Sequence, residues 1–347
     1  PPQGADLLVA RLRRSPKERG RLQIAYFSLG DSGFAHSRRR FWPASSIKLP
    51  AAVGALLVLG ERGIDGRTKL SFKDSYGTFS GPLLRLYRPA IVWSSNRGYD
   101  RLLRVAGVDR VAAKLASIGL PSTYLSCPYA GGWSLMKSPA ISYRDKAIGG
   151  TIPPREAKEP NKGTCHSGSN CTTLFELSEV LRRVVLHDHL AKAKAIKASE
   201  HPEVAPLALK RFDVRRLQRA LRKAKSKLQR AAERTYGKAI VIYNKAGRYP
   251  YRDQLDVALI VDKKSKRPLA LVAASVPYRR GVFLDSQQTV RFAPPLGSAS
   301  GARIRSRGRF RRRESHRAVE WRLDALVYAG LQALRRLRPP PRQWLTF

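Results

Sequence analysis

The longest uncharged apolar stretch of the chain runs over residues 49–60, and it limits the folds open to this region. A helix that crosses a bilayer needs about 20 apolar residues, so this stretch predicts a helix buried in a protein core. Two serines, Ser45 and Ser46, and a lysine, Lys48, come immediately before it. A lysine at this place is either a surface residue at a helix start or a group with a chemical task.

Ser45 and Lys48 are three residues apart, a spacing that puts two side chains on one face of a helix. The helix N-terminus adds a positive field and unpaired N–H groups, which stabilise an oxyanion. A lysine partly removed from water there loses its proton more easily and can act as a base toward the hydroxyl. Alone the pattern is weak, because a serine cap beside a solvated lysine has the same spacing. We expect Ser46 to be only a hydroxyl at the helix start.

The charge balance of the chain is extreme. Its 347 residues include 67 Lys and Arg against 25 Asp and Glu, a formal net charge of +42, while 43% are hydrophobic. The hydrophobic fraction indicates a folded globular protein, and the charge predicts attraction to polyanions. The basic segments 212–237 and 303–313 carry no nucleic-acid recognition motif, and their aromatic residues are not interleaved as a stacking platform. We therefore expect an anionic cell-envelope polymer, rather than nucleic acid, as a macromolecular partner.

Hydrophobic periodicity and turn residues predict a chain that begins and ends with sheet-forming elements. We predict an amphipathic helix over 5–14, a strand over 21–29 and a turn over 30–33. A mostly helical stretch over 68–201 follows, clearest at 108–120 and 172–186, and then one basic helix over 212–237. Three strands, "AIVIYNKAG", "QLDVALIVD" and "LALVAASVP", and a final helix over 317–337 complete the chain.

These elements predict an α/β (α+β) fold: an antiparallel sheet covered by N- and C-terminal helices, plus an all-helical lobe. The sheet lobe is discontinuous, with residues 1–48 and 205–347, and the helical lobe takes residues 49–204. The active site is expected between them. No transmembrane segment, cofactor or metal is predicted.

Three cysteines bear on the compartment. Cys165 and Cys171 are close enough for a small disulfide loop, and such a bridge would favour an oxidising compartment. The alternative is a zinc site with His166, but it lacks an evident fourth ligand. The chain begins at Pro1, so we expect either that a signal peptide was removed or that the sequence was trimmed. We predict a periplasmic or secreted protein.

Two later motifs strengthen the interpretation of Ser45 and Lys48 as catalytic residues. Ser94-Ser95-Asn96 follows an apolar segment, and Lys245-Ala246-Gly247 lies on a predicted strand. In the order S-x-x-K, S-x-N and K-x-G, the three match the set found in class A β-lactamases and penicillin-binding proteins. The sequence therefore resembles the serine β-lactamase and penicillin-binding protein superfamily, closest to its class A β-lactamase-like branch, over nearly the whole chain.

The resemblance implies a role for each matching residue. Ser45 would be the acylated nucleophile and Lys48 its base. Ser94 would relay a proton to the leaving group, and Asn96 would bind the substrate amide. Lys245 would hold both the relay serine and the substrate carboxylate.

The resemblance also implies a substrate-binding strand edge and a deacylation base. Ala246, Gly247 and Arg248 would line the substrate, with the N–H groups of Ser45 and Arg248 as the oxyanion hole. Glu159, before Pro160, resembles the family's deacylating glutamate. Glu156 is a second candidate.

Three positions depart from the family pattern. Ser95 replaces an Asp, Ala246 replaces a hydroxyl residue that contacts a β-lactam carboxylate, and Asp100 stands where class A enzymes have Asn. We predict a serine hydrolase with a small-molecule or peptidoglycan-like substrate, one that forms an acyl-enzyme with β-lactams or related amides and esters. The alternatives are a D-Ala-D-Ala peptidase-like slow acylator and a non-catalytic polyanion-binding member of the fold.

Overall fold

The computed structural model describes residues 5–14, 22–29, 38–125, 129, 141–143, 146–149, 170–192, 206–249, 253–277, 283–284, 290–291, 315–337 and 345–346. Within them the fold is mixed α/β with an antiparallel sheet, which confirms the predicted class. The strands are β1 (Asp6–Arg14), β2 (Leu22–Leu29), β3 (Lys69–Asp74), β4 (Gly77–Pro82), β5 (Ile141–Tyr143), β6 (Lys146–Gly149), β7 (Ile240–Tyr249), β8 (Asp253–Asp262), β9 (Pro268–Pro277), β10 (Phe283–Leu284), β11 (Val290–Arg291) and β12 (Leu345–Thr346).

The helices follow the same order along the chain. They are α1 (Lys48–Gly60), α2 (Leu84–Val92), α3 (Asn96–Ala106), α4 (Val108–Ser117), α5 (Leu174–Val185), α6 (His187–Lys192), α7 (Arg211–Lys223), α8 (Gln229–Tyr236) and α9 (His316–Arg336). Among the described residues, no helix combines the length and apolar character needed to cross a membrane.

The large sheet has the strand order β12-β2-β1-β9-β8-β7, and all its pairs are antiparallel. The predicted meander β7–β9 and the closing helix α9 are confirmed. One face packs on α9, where Leu7 and Val9 share a core cluster with Leu323. The other face packs on α5, with Leu8 and Leu177 in a second cluster that also takes in the buried helix α1. Two covered faces explain why the central strands are apolar at consecutive positions.

The predicted helix over residues 5–14 is wrong, because these residues form β1 in the middle of the sheet. Leu7, Leu8, Val9 and Ala10 are all buried. A strand buried on both faces loses the alternation of apolar and polar residues that identifies a strand in a sequence. Its continuous apolar run therefore looked like part of a helix.

The predicted all-helical lobe is also wrong in part, because the region 49–204 contains a second sheet of order β4-β3-β5-β6. In β3, Leu70 and Phe72 are buried while their neighbours are exposed, which is strand periodicity. Phe72 pairs with Phe79 of β4, and their rings stack 5.0 Å apart. The division of the chain into the two lobes stays a prediction.

The single basic helix predicted over 212–237 is two helices, α7 and α8. The break between them is held by Asp256 of β8, whose Oδ2 accepts hydrogen bonds from Ser226 Oγ at 3.0 Å and from Lys227 N at 2.7 Å. This tertiary contact overrides a continuous helical pattern. It also places the connecting segment beside β7, the strand that carries the third motif.

Candidate active site

Ser45 and Lys48 lie where a 3₁₀ turn, Ala44–Ile47, runs into α1. Lys48 Nζ is 3.0 Å from Ser45 Oγ. The lysine is fully buried, since α1 is covered on every side by core residues. Ser46 turns inward and its Oγ donates to the carbonyl of Pro43 at 2.7 Å, so its hydroxyl has a structural partner.

The second motif meets the same amine. Lys48 Nζ donates to the Ser94 carbonyl and to Asn96 Oδ1, each at 2.6 Å, and lies 3.3 Å from Ser94 Oγ. Ser94 has a left-handed backbone with φ of 58°, a strained conformation for a residue with a side chain. Ser95, which replaces the family's Asp, caps α3 by accepting from Gly98 N at 3.1 Å.

The third motif completes the cluster from the sheet. Lys245 of β7 donates to Ser94 Oγ at 3.1 Å and to the carbonyl of Ala246 at 2.8 Å. The Ser94 hydroxyl therefore lies between two lysine amines. At Gly247 a Cβ atom would stand 2.6 Å from the Pro43 carbonyl, so only glycine lets β7 approach the nucleophile segment this closely.

Both lysines are easier to deprotonate than in water. Burial, followed by the charge of Lys245, lowers the pKa of Lys48 from its usual 10.5 to about 7. Burial lowers the pKa of Lys245 to about 8, and Asp256 opposes that shift. Near neutral pH a large share of Lys48 is therefore neutral while most of Lys245 keeps its charge.

The contacts of Lys48 indicate where its lone pair points. A neutral amine has two N–H donors and one acceptor pair. The Ser94 carbonyl and Asn96 Oδ1 can only accept, and together they use both donors. The lone pair is then left for a hydroxyl, and Ser45 Oγ lies at 3.0 Å. This arrangement can take a proton from Ser45.

An open cavity of about 490 Å³ borders the cluster. Its lining includes Ser45, Ser94 and Lys245, so the nucleophile candidate, the relay serine and the cation face one space. Gly247 and Arg248 line it along β7, with Arg248 exposed. Trp93, two-thirds exposed at 66%, lines it too.

Tyr129 is a site residue that the sequence analysis missed. Its ring centre lies 5.0 Å from Lys48 Nζ, and its hydroxyl donates to the carbonyl of Ala44, the residue before Ser45. Ala44 has φ of 46°, a left-handed conformation. Tyr129 N donates to Asp100 Oδ1 at 2.8 Å, and Tyr76 donates to Asp100 Oδ2 at 2.6 Å. Asp100 thus anchors a tyrosine that contacts Lys48 and the backbone just before Ser45.

Glu159, Glu156, Cys165 and His166 lie outside the described residues. Cys171 is disulfide-bonded, and with three cysteines in the chain its partner is Cys165 or Cys127, both outside the described residues. The zinc alternative is therefore wrong, because the sulfur of Cys171 is not available as a thiolate ligand.

Solved structures of other proteins share the fold of this chain. The chromosome-encoded beta-lactamase of Vibrio parahaemolyticus is 13% identical, with a TM-score of 0.53 over 95% of this chain and 94% of that chain. A beta lactamase from Burkholderia vietnamiensis is 15% identical, with a TM-score of 0.53 over 95% of this chain and 92% of that chain. An ancestral class A beta-lactamase is 13% identical, with a TM-score of 0.54 over 94% of each chain. At these identities the likeness shows the fold alone. No match was found among the curated proteins.

The sequence itself gives the family. A model of the beta-lactamase enzyme family matches residues 10–281, most of the chain. The chain belongs to the beta-lactamase enzyme family, and its fold is that of a hydrolase.

Proposed function

We propose that the protein is a serine hydrolase that forms an acyl-enzyme on Ser45 with β-lactams or related amides and esters. The observation that carries this proposal is the Lys48 amine, which is buried, has a lowered pKa of about 7 and lies 3.0 Å from Ser45 Oγ. Its two acceptor-only partners leave its lone pair for that hydroxyl. A general base must have both this reach and this acidity.

Acylation follows from these contacts. Ser45 Oγ attacks the carbonyl carbon of the substrate as its proton passes to Lys48 Nζ. The N–H groups of Ser45 and Arg248 stabilise the oxyanion. When the C–N bond breaks, the Ser94 hydroxyl gives its proton to the leaving nitrogen. It takes a proton back from Lys48 or Lys245, whose amines lie 3.3 and 3.1 Å from Ser94 Oγ. The product is an ester on Ser45 with the amine released.

The fate of that ester separates two versions of the proposal. A β-lactamase removes it with an activated water, for which Glu159 is our proposed base. A slow acylator keeps it.

Intact-mass spectrometry after incubation with a fluorescent penicillin tests the proposal, with hydrolysis of a chromogenic cephalosporin as the turnover assay. A stable adduct on Ser45 supports the slow acylator, and rapid turnover that is lost in Glu159→Gln supports the β-lactamase. The matched control is Ser46→Ala, which we expect to label as the wild type does, whereas Ser45→Ala should not label. Equal labelling of Ser45→Ala would refute the choice of nucleophile. Absence of any adduct would leave the non-catalytic, polyanion-binding reading.

We further propose an extracytoplasmic location, periplasmic or secreted. The disulfide at Cys171 supports it, since disulfides persist mainly in oxidising compartments. The sequence charge of +42 supports an anionic envelope polymer as a neighbour.

A further inference from the structure

Part of the wall of the active-site cavity is cationic beyond what the three motifs require. The lining contains Lys223, Lys225, Lys227 and Arg248 in addition to Lys245, and none of its described residues is acidic. Lys227 is paired with Glu320 of α9 at 2.5 Å, so its charge is balanced. Lys223 and Lys225 are exposed, and within the described part of the chain no carboxylate pairs with either. We call the set Lys223, Lys225 and Arg248 the cationic wall.

The backbone that carries this wall is fixed by buried polar groups. Asp256 is fully buried and accepts from Ser226 Oγ and Lys227 N, as described above. Asn244, also buried, donates from Nδ2 to the carbonyl of Lys225 at 3.2 Å. Asn244 precedes Lys245 on β7, and Asp256 pairs in register with Ala246. The lysines between α7 and α8 are thus attached to the same strand that carries the third motif.

The location of these charges in the cleft, and not only the net charge of the chain, lets them act on a bound ligand. Lys245 hydrogen-bonds Ser94 and supplies one positive site near the reacting carbonyl. The cationic wall adds exposed charges in the same cavity, at side chains that reach water and can contact a ligand. Cations that line one cleft raise the local concentration of anionic ligands and favour those with matching charges.

We propose that the cleft selects acyl donors with a second anionic group, beyond the carboxylate held near Lys245, and that the cationic wall binds this group. The substrate class is then a multiply anionic amide, ester or β-lactam. This inference rests on the proposed function for the identity of the acyl donor, and it concerns recognition rather than the chemical step.

Two penicillins that differ in one charge provide the probe. Benzylpenicillin has one carboxylate, and carbenicillin has a second carboxylate on its side chain. We would measure their binding to the Ser45→Ala protein by calorimetry and their acylation rate constants with the wild type. We expect carbenicillin to be preferred in both, and the double variant K223E/K225E to reduce that preference roughly tenfold, because two exposed attractions become repulsions. Raising salt to 0.5 M should weaken the wild-type preference as well.

The matched control is K263E/K264E, which changes net charge equally on the exposed turn after β8. The control lysines follow Asp262, which pairs with Ile240, and Ile240 is five residues along β7 from Lys245. The control therefore lies roughly 17 Å from Lys245. An equal loss in both double variants, or no preference for carbenicillin in binding to Ser45→Ala, would overturn the cationic wall. Failure of both penicillins to acylate the wild type would instead refute the proposed function, and the binding comparison would still decide the inference.

Discussion

Two groups of buried cations in this protein are built in opposite ways. Arg182 and Arg101 are each held by a carboxylate through two hydrogen bonds. Arg182 binds Glu179 at 2.9 and 2.6 Å, and Arg101 binds Asp74 at 3.0 and 2.9 Å. Lys48 and Lys245 instead have hydroxyl, carbonyl and amide oxygens as their hydrogen-bond partners.

The difference in partners produces a difference in charge state. The charge of Glu179 raises the pKa of Arg182 against the opposing effect of burial. Among the described residues neither lysine has a carboxylate in hydrogen-bond contact, and burial lowers the pKa of each. A buried cation with a carboxylate keeps its proton and supports the fold, whereas one among neutral acceptors can exchange its proton. We therefore expect replacement of an arginine to lower stability and replacement of a lysine to lower the acylation rate.

Lys48→Met should have the largest effect on chemistry. Loss of a positioned general base costs about 10²–10⁴ in rate, so acylation by a penicillin should slow by that factor. Folding should survive, because methionine fills the space of the lysine stem and buries no charge. Stopped-flow labelling gives the rate, and thermal unfolding checks the fold. A variant that is folded and acylates at the wild-type rate would contradict the role of Lys48.

Arg182→Met should have the converse effect. It leaves Glu179 buried without its cation, and breaking such a pair costs about 3–5 kcal/mol of unfolding free energy. The pair does not line the active-site cavity, so acylation per folded molecule should be unchanged. Urea unfolding measures the first quantity and active-site titration the second. If the stability loss were small and the rate fell, the division between the two groups of cations would be wrong.

The pH dependence of acylation should follow the two lysines. Lys48 must be neutral to accept the Ser45 proton, so the rate should rise with pH and reach half its limit near the Lys48 pKa of about 7. Lys245 must be charged to hold a substrate carboxylate, so the rate should fall as pH passes the Lys245 pKa of about 8. Two pH units below the first midpoint the rate should be about a hundredfold lower. A flat profile between pH 5 and 9 would contradict this assignment.

Tyr129→Phe should have the smallest effect. It removes the hydroxyl that holds the left-handed Ala44 backbone before Ser45, at a cost of about 1 kcal/mol, or about fivefold in acylation rate. The ring over Lys48 remains, so the pH midpoint should not move. The control is Tyr87→Phe, which removes a buried hydrogen bond of 2.8 Å from Tyr87 to Asp213. Neither of these residues lines the cavity. A similar rate loss in both variants would mean that Tyr129 acts through general stability.

The sequence was most informative where function forces a spacing. Three local patterns marked the site: Ser45 with Lys48, Ser94 with Asn96, and Lys245 with Gly247. In the structure, hydrogen bonds join Lys48 to Ser45 and Asn96, and Lys245 to Ser94. Gly247 lines the same cavity. Tyr129 meets this cluster through tertiary contacts with Lys48, Ala44 and Asp100, and no motif surrounds it, so no local signal pointed to it.

The fold shows the same limit in other residues. The strand β1 could not be recognised because both of its faces are buried and its apolar residues are consecutive. The hairpin β3–β4 could have been found, because Leu70 and Phe72 alternate with polar residues. The break between α7 and α8 depends on Asp256, which lies about thirty residues further along the chain. Periodicity within a single helix does not contain that information.

The charge state of Lys48 is the central claim, and NMR can measure it directly. In protein labelled with ¹³C and ¹⁵N at lysine, the side-chain resonance lost in Lys48→Met should titrate with a pKa of about 7, far below the ordinary lysine value of 10.5. The lysine resonances that remain in Lys48→Met serve as the comparison. A Lys48 resonance that titrates near 10.5 would mean that the amine is charged at neutral pH, and it would contradict its assignment as the base.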